Sequence, residues 1–173
     1  MQSIILGGGC FWCTQSVFTS IKGVHSVISG YAGGLADTAN YESVCMGDTG
    51  HVEVVKVVFD EREIGLSVIL DIFFATHDPT TLNRQGNDIG SQYASVIFYT
   101  QESQLEHITN KINHLKSQGI DIVTQSAPAP TFYPAEEYHQ NFYAKNPTQS
   151  YCNFTIPPKL MKLRTAFADH LKS

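Results

Sequence analysis

The apolar positions of this chain switch between a period of two and a period of three to four, which predicts strands alternating with helices. The strongest strand signal covers residues 51–59, where valine dominates and the two-residue period places Glu53 on the face without Lys56. A helical spacing at 64–76 is expected to end before Pro79, because the residue preceding a proline disfavours helical backbone. The other predicted strands are 3–6, 24–31, 93–99 and 120–124, and the other predicted helices are 10–21 and 101–118.

In chain order the first six elements read β-α-β-β-α-β, which predicts an α+β, ferredoxin-like fold. In this split β-α-β two-layer sandwich, two helices cover one face of a mainly antiparallel sheet. Added helices complete it: Pro134 is expected to start one, and an amphipathic terminal helix carries Leu160, Leu163, Phe167 and Leu171. An irregular segment is expected at 145–158. Because no repeat or linker interrupts the 173 residues, we expect a single catalytic domain, 1–173.

Charge and composition narrow the classes of partner. The formal net charge is −5 and no cluster of Lys and Arg occurs, so nucleic acid is not an expected partner. No apolar run reaches the roughly 18 residues that would span a bilayer, and the first nine residues lack the features of a signal peptide. We therefore expect a cytoplasmic monomer without a membrane partner.

Four cysteines are too few for a disulfide framework in a chain of this size, so reactivity or packing must explain them. Cys10 follows three glycines and opens a predicted helix, where free backbone N–H groups and the helix dipole stabilise an anion. This position predicts a thiol with a lowered pKa and nucleophilic character. Phe11 and Trp12 beside it either pack in the core or wall a small apolar pocket. Cys45 is expected to be a small buried hydrophobe.

The spacing Cys10-x-x-Cys13 permits two further interpretations. A structural zinc would need four ligands, and the other cysteines are single and distant, so no metal is expected. A thioredoxin-type redox pair would suit a helix N-terminus, but the order of predicted elements fits that fold poorly.

Spaced motifs in a fixed order carry a resemblance to a known family. They are GCFWC at 9–13, GYAGG at 30–34, GDTGHVE at 47–53, QGNDIGSQY at 85–93, EEYHQ at 136–140, KNP at 145–147 and YC at 151–152. Together they closely resemble the A-type peptide methionine sulfoxide reductases over nearly the whole chain. The resemblance implies thiol-dependent reduction of the S epimer of methionine sulfoxide, free or in oxidised proteins, with thioredoxin as the reductant and no cofactor.

The resemblance also implies roles for individual residues. Glu53 corresponds to the acid that protonates the departing oxygen, and its place among valines on a strand independently predicts burial and a raised pKa. Tyr41 and Tyr93 correspond to hydroxyl donors to the sulfoxide oxygen, and Asp88 to a supporting carboxylate near Cys10. Phe11 and Trp12 would hold the methyl group of the substrate. The alternative for Glu53 is a carboxylate paired with a cation, although no cation stands at an obvious pairing position. Without the motifs, the tyrosines would be read as packing residues and Asp88 as a turn residue.

After attack, the resemblance assigns Cys152 as the thiol that condenses with the Cys10 sulfenic acid, from a segment expected to be mobile. Cys13 is the alternative, although a helix holding both cysteines would restrict disulfide geometry. No more distal cysteine exists for a longer relay. Thr14 and Gln15 depart from the apolar residue and Glu of many relatives, which concerns local helix contacts rather than the chemistry.

Two rival functions remain at this level. A cysteine hydrolase would pair Cys10 with His51, His77 or His139 as a base and form a thioester. A non-enzymatic binder of peptide methionine would keep its function without the Cys10 thiol.

Overall fold

The computed structural model describes residues 1–172. Its strands are β1 Gln2–Gly8, β2 Val24–Ala32, β3 Val52–Phe59, β4 Arg84–Gln85, β5 Asp88–Ile89, β6 Ser95–Tyr99, β7 Gln125–Pro128 and β8 Phe132–Pro134. Its helices are α1 Phe11–Thr19, α2 Tyr41–Cys45, α3 Leu66–Thr76, α4 Glu102–Ser117, α5 Phe142–Lys145 and α6 Ser150–Ala166. Single 3₁₀ turns occur at Ala36–Thr38, Ser91–Tyr93, Glu137–His139 and Ala168–His170.

One six-stranded sheet, in the order β7-β6-β1-β3-β2-β8, organises the molecule. Its four inner strands, β6-β1-β3-β2, are antiparallel neighbours and arise from the first six main elements of the chain. This order is that of the split β-α-β unit, so the predicted α+β, ferredoxin-like class is confirmed. β7 adds parallel to β6 and β8 adds antiparallel to β2, while β4 and β5 form a separate short hairpin.

The main core lies between the sheet and the helices. From β3 it takes Val55, Val57 and Phe59, the residues that share the predicted face with Glu53. Helices α1 and α3 contribute the buried side chains that pack against this face, including Phe18 and Phe73. A smaller cluster on the opposite face contains Ile5, Ala32, Val52, Val54 and Val96. Because both faces of β3 are largely buried, a carboxyl side chain on this strand is withdrawn from water.

The edge strand after α4 differs from the prediction. We expected a strand at 120–124, where Ile120, Ile122 and Val123 suggested one, but pairing with β6 begins only at Gln125. The Val123 N–H instead donates to the Pro79 carbonyl at 2.8 Å, and Ile122 is buried without being in a strand. Pro134 likewise does not start a helix but ends β8.

The C-terminal third is more regular than predicted. The segment expected to be irregular, 145–158, becomes helix α6 from Ser150 onward, and α6 continues through Pro157 and Pro158. Two prolines disfavour a helix, but Cys152, Ile156 and Leu163 pack into buried clusters, and tertiary packing overrides local preference. Phe167 and Leu171 of the predicted terminal helix lie beyond its end, although both pack against the main core. Among residues 1–172, no helix combines the length and apolar character that crossing a bilayer requires.

Candidate active site

Cys10 lies where β1 gives way to α1. Gly9 has a left-handed φ of +98°, and a Cβ there would stand 2.7 Å from the Gln85 side chain, so the turn requires glycine. Cys10, the first residue of the predicted helix, takes the N-cap position with extended backbone (φ −60°, ψ 127°), one residue before α1 begins. Its side chain is partly exposed. The first turn of α1 thus begins immediately after the candidate nucleophile.

Glu53 lies behind this turn on β3, opposite Tyr31 of β2. The carboxyl is 1% exposed, and its Oε1 accepts a hydrogen bond of 3.1 Å from the Phe11 N–H. Burial raises the pKa of Glu53 to about 8, although the Phe11 N–H partly opposes this effect; the nearby Asp88 and Cys13 add to it. Neither of the ion pairs in residues 1–172 includes Glu53, so the interpretation as the partner of a cation finds no support there. The Glu53 carboxyl is therefore mostly protonated at neutral pH, which is the form that can donate a proton.

The two aromatic residues after Cys10 have different surroundings. Phe11 is fully buried, with its ring centroid 5.6 Å from that of Tyr31. Trp12 is half-buried and stacks on Phe142 at 3.8 Å with an interplanar angle of 8°. The Trp12 Nε1–H donates to His139 Nδ1 at 3.0 Å. Of the two predicted pocket walls, Trp12 keeps accessible surface, whereas Phe11 belongs to the core.

Tyr41 and Tyr93, the predicted hydroxyl donors, come from separate elements. Tyr41 is the first residue of α2, and Tyr93 lies in a 3₁₀ turn before β6 rather than in the predicted strand. Burial raises the pKa of each phenol, and the negative charges that Glu53 and Cys10 carry when ionised raise both pKa values further. Both side chains therefore lie in the electrostatic neighbourhood of Cys10 and Glu53 and remain protonated donors over the physiological range.

Asp88, the first residue of β5, also lies near Cys10 and Glu53. Its Oδ2 accepts a hydrogen bond from the Tyr151 hydroxyl at the start of α6. Burial raises the pKa of Tyr151, and the thiols of Cys10 and Cys13 raise it further. Asp88 and Tyr151 therefore join the QGNDIGSQY loop to the C-terminal helix beside the cysteines.

A cleft of about 510 Å³ opens beside Cys10, Asp88 and Tyr151, and its lining residues do not include Glu53, Trp12, Tyr41 or Tyr93. Polar and reactive side chains form one part of its wall, and Phe154 and Pro158 of α6 add apolar surface. The residues that define its reactive side are Cys10, Cys13, Asp88, Tyr151 and Lys159. Such a mixture of apolar wall and convergent polar groups is typical of a small-molecule site.

Comparison with known proteins agrees with this geometry. Residues 2–171 match the model of the family described as peptide methionine sulfoxide reductase. The chain belongs to this family. It is 64% identical over 173 residues to the peptide methionine sulfoxide reductase MsrA of Psychrobacter cryohalolentis, with 100% of each chain covered.

Solved structures of the family have the same fold. Mxr1 from Saccharomyces cerevisiae in reduced form is 35% identical, with a TM-score of 0.78 over 90% of this chain and 88% of that one. The same yeast protein in complex with Trx2 is 27% identical, with a TM-score of 0.54 over 81% and 83% of the two chains.

Three of the four cysteines of this family member lie together. Cys13 and Cys152 are buried in one small cluster, against which Cys10 and Trp12 pack. The segment of Cys152 was expected to be irregular and mobile, but Cys152 lies in the first turn of α6 and is fully buried. Cys45, expected to be buried, is exposed at the end of α2.

The ionisation of the paired thiols also differs from expectation. We predicted a lowered pKa for Cys10, yet burial raises it, and the hydrogen bond to Cys13 and the charge of Glu53 raise it further. The Trp12 N–H at the helix start opposes these effects but is outweighed. The hydrogen bond from Cys10 lowers the pKa of Cys13 to about 7.

Sequence reasoning missed two residues that support the site. The Glu136 carboxylate accepts from the Tyr31 hydroxyl at 2.8 Å and from the Tyr41 N–H at 3.0 Å. His139 is 1% exposed, and its ring lies 4.3 Å from that of Tyr41. Both belong to the EEYHQ motif, which carried the resemblance without a role in the reductase for either residue; His139 was considered only as a base of the rival hydrolase. The motif was the available signal, but only the fold brings it against Tyr41 and Trp12.

The histidines do not support the rival hydrolase. His51 accepts from the Gly34 N–H at Nδ1 and contacts the Leu35 carbonyl through Nε2. His77 is engaged by the Phe73 carbonyl and the Ser95 hydroxyl, and His139 Nδ1 accepts from Trp12. In the described part of the chain, none of the three is hydrogen-bonded to the Cys10 thiol as a base would be.

One group of potential metal ligands exists among residues 1–172. His25, Asp60 and Glu63 place ligand atoms within 4.8 Å of one another near the end of β3 remote from Glu53. Both oxygens of Asp60 already accept from Arg62. His25 and Glu63 are exposed and Asp60 is buried and ion-paired with Arg62, so this group is separate from the thiols.

Proposed function

We propose that this chain reduces the S epimer of methionine sulfoxide, free or in oxidised proteins, to methionine, with Cys10 as nucleophile and Glu53 as acid. The observation that carries the proposal is the neutral, buried Glu53 carboxyl, oriented by the Phe11 N–H directly behind the Cys10 turn. An oxide is a poor leaving group unless it is protonated, so the reaction needs an acid at this place.

The first step joins the two reactants. The Cys10 sulfur attacks the sulfoxide sulfur, and the Glu53 proton passes to the oxygen. Tyr41 and Tyr93 are proposed to donate hydrogen bonds to the same oxygen, which stabilises the charge that develops there. The bond between Cys10 and the substrate sulfur then breaks together with the substrate's sulfur–oxygen bond, and the protonated oxygen passes to Cys10, which becomes a sulfenic acid. The proton lost by the Cys10 thiol goes to solvent, and methionine leaves. Sulfoxide is thereby reduced and Cys10 is oxidised by two electrons.

Substrate positioning is proposed for the residues around these groups. The exposed part of the Trp12 indole is proposed to contact the methyl group of the substrate. Phe11 is buried in the core and is proposed to support the residues around Trp12. Asp88, paired with Tyr151, is proposed to support the polar side of the site. Contact through apolar surface rather than charge would let many flanking peptide sequences bind.

The second half-reaction regenerates the thiol. Cys152 is proposed to condense with the Cys10 sulfenic acid, forming a Cys10–Cys152 disulfide and releasing water. The common cluster of Cys10, Cys13 and Cys152 supports this pairing and also keeps Cys13 available as the alternative. Thioredoxin is proposed to reduce the disulfide, as the complex of the yeast relative with Trx2 suggests. We propose that residues 1–173 act as one catalytic domain and a monomer in the cytoplasm, where free thiols persist.

Separate assays of the two sulfoxide epimers test this function. Dithiothreitol serves as reductant, and methionine is quantified by chromatography for the wild type and for Cys10→Ser. We expect the wild type to consume the S epimer and leave the R epimer, and Cys10→Ser to consume neither while keeping the wild-type circular dichroism spectrum. Consumption of the R epimer alone, or full activity of folded Cys10→Ser, would contradict the proposal.

A further inference from the structure

The orientation of the Trp12 indole is only partly determined by stacking. The Phe142 ring lies against one face of it, with the two centroids 3.8 Å apart and an interplanar angle of 8°. This stack fixes the plane of the indole but not its direction within that plane, because the χ2 torsion of tryptophan has a roughly two-fold preference. A half-turn about χ2 would keep the plane and exchange the two edges of the indole. A further contact has to select one orientation.

His139 supplies that contact at the polar edge of the indole. The Trp12 Nε1–H donates to His139 Nδ1 at 3.0 Å. This N–H is the one polar group of a tryptophan side chain, and a half-turn about χ2 would carry it away from the imidazole. The hydrogen bond therefore distinguishes two orientations that the stack leaves equivalent.

The imidazole is itself enclosed by aromatic rings. His139 is buried, and its ring centroid lies 4.2 Å from that of Tyr138, 4.3 Å from that of Tyr41 and 5.3 Å from that of Phe11. These three rings come from the turn of His139 itself, from α2 and from α1. An imidazole packed in this way cannot follow the indole if the indole turns.

The short turn that carries His139 is anchored on both sides. Before it, the Glu136 carboxylate accepts from a tyrosine hydroxyl of β2 and from the N–H that begins α2. After it, the Gln140 side chain donates to the Ser29 carbonyl at 2.9 Å and accepts from the Ser29 N–H at 3.0 Å. The sheet and α2 thus place the imidazole, which is a fixed point of attachment for the indole.

The hydrogen bond also specifies the protonation state of His139. A neutral imidazole has one N–H and one acceptor nitrogen, and Nδ1 is the acceptor here because an indole N–H only donates. The proton therefore lies on Nε2, which is buried and has no hydrogen-bond partner within residues 1–172. An imidazolium carries a proton on both nitrogens, so its Nδ1–H would face the indole N–H and the bond would be lost.

We propose that His139, as the neutral tautomer with its proton on Nε2, is a positioning residue that fixes the Trp12 indole for contact with the methyl group of the substrate. The proposal rests on the reaction proposed above and adds a residue that determines how well the sulfoxide binds. His139 takes no part in the bonds that form and break at Cys10. Its loss should therefore weaken binding and leave the maximal rate of the first step nearly unchanged.

The groups around His139 favour its neutral form. Burial lowers the pKa of His139, the Glu136 carboxylate opposes this effect, and the Lys145 ammonium adds to it. Tyr41 and Tyr138 are neutral phenols because burial raises the pKa of each, and the α1 residues in contact with the imidazole carry no titratable group. His139 should therefore be half-protonated only at a pH below its ordinary pKa of about 6.5.

Nuclear magnetic resonance tests the hydrogen bond directly. Spectra of isotope-labelled histidine at neutral pH should show the His139 proton on Nε2, and Trp12, the only tryptophan, should give one indole N–H peak. His139→Leu removes the acceptor and should move this peak toward its position in the urea-unfolded chain. His139→Asn offers an oxygen in place of Nδ1 and should keep the peak near its wild-type position. A wild-type proton on Nδ1, or an unmoved indole peak in His139→Leu, would overturn the proposal.

Rapid-quench measurement of methionine formed in a single turnover, over a range of S-epimer concentrations, tests the effect on binding. For His139→Leu we expect the half-saturating concentration to rise roughly 10-fold, as for one lost apolar contact of methyl size, and His139→Asn should restore it. In the wild type this concentration should also rise as the pH falls below about 6.5, and His139→Asn should lack this dependence. His107→Leu, at an exposed histidine of α4, is the matched control and should keep the wild-type values.

The outcomes separate this inference from the reaction on which it rests. Absence of methionine from the wild type, or its formation by folded Cys10→Ser, would contradict the reaction itself. A normal reaction in which His139→Leu lowers only the amount of methionine formed, with the wild-type half-saturating concentration, would overturn the role of His139 alone. If His139→Leu fails to fold, the wild-type tautomer and the pH dependence of His139→Asn decide, and a proton on Nδ1 or an unchanged pH dependence would overturn the proposal.

Discussion

The Phe11 N–H donates to Glu53 Oε1 at 3.1 Å, which connects the first residue of α1 to the buried acid of β3. A free amide at a helix start normally binds water or a capping side chain, but here it orients a carboxyl. The same turn carries Cys10 at its N-cap. The start of α1 therefore relates the nucleophile to the acid, because Cys10 is its N-cap and the next residue is hydrogen-bonded to Glu53.

Replacement of Glu53 by Gln should reduce the rate of the first step. The amide can still accept from the Phe11 N–H but has no proton to give to the departing oxygen, so single-turnover methionine formation should fall by roughly 10²- to 10⁴-fold. Rapid quench at pH 7 measures the rate. Glu61→Gln, an exposed glutamate, should keep the wild-type value, and an equal rate in both variants would exclude Glu53 as the acid.

The same Glu53→Gln substitution should stabilise the fold at neutral pH. The pKa of Glu53 is about 8 in the folded chain, above its usual value of 4.5, so the neutral form favours the folded state fully below about pH 4.5 and progressively less as the pH rises toward 8. A permanently neutral amide avoids this cost, and we expect the free energy of unfolding at pH 7 to rise on the order of 2–3 kcal/mol. Urea denaturation of both proteins at pH 4 and pH 7 measures it. A gain that is the same at both pH values would indicate a cause other than ionisation.

Oxidation should open the start of α6. Cys152 is fully buried in the first turn of that helix, and a disulfide to Cys10 demands a specific approach of the two sulfurs. After one equivalent of sulfoxide, tryptic mass spectrometry should find Cys10 linked to Cys152. A Cys10–Cys13 link as the stable product would contradict this assignment. The far-UV circular dichroism signal of helix should fall slightly in the oxidised protein.

Gly9→Ala tests the turn before the nucleophile. An added Cβ would lie 2.7 and 2.8 Å from Gln85 side-chain carbons, and φ is +98°, so both crowding and backbone strain arise. We expect a loss of stability of about 1–3 kcal/mol and a larger loss of activity, because Cys10 would be displaced. Gly86→Ala, whose Cβ meets nothing within 4 Å at a φ of +56°, separates strain from crowding. Equal losses in the two variants would argue that contact with Gln85 is unimportant.

The sequence predicted those features that depend on local periodicity. The valine-rich strand placed Glu53 on a buried face, and the order of six elements implied the sheet in which that face meets α1. Residues whose role depends on distant packing were not accessible in this way. Pro157 and Pro158 suggested an irregular chain, yet contacts of Cys152 and Ile156 with the thiol cluster favour a helix.

The charge of the thiols illustrates the same limit. A helix N-terminus lowers the pKa of a cysteine when nothing else is near, and this local rule gave the wrong direction for Cys10. Burial reverses it, with smaller contributions from Cys13 and Glu53, and burial of this kind depends on chain segments far away in the sequence. Glu136 and His139 were likewise visible as a motif, but their contacts with Tyr41 and Trp12 exist only in the fold.

Trapping of the oxidised cysteine tests the central claim most directly. Cys152→Ser is treated with one equivalent of the S epimer in the presence of dimedone, which reacts with sulfenic acids, and the labelled peptide is identified by mass spectrometry. We predict one dimedone adduct, located on Cys10, for each methionine released. Methionine release with the adduct on Cys13, or with no adduct on any cysteine and no disulfide in its place, would contradict the attack of Cys10 on the sulfoxide.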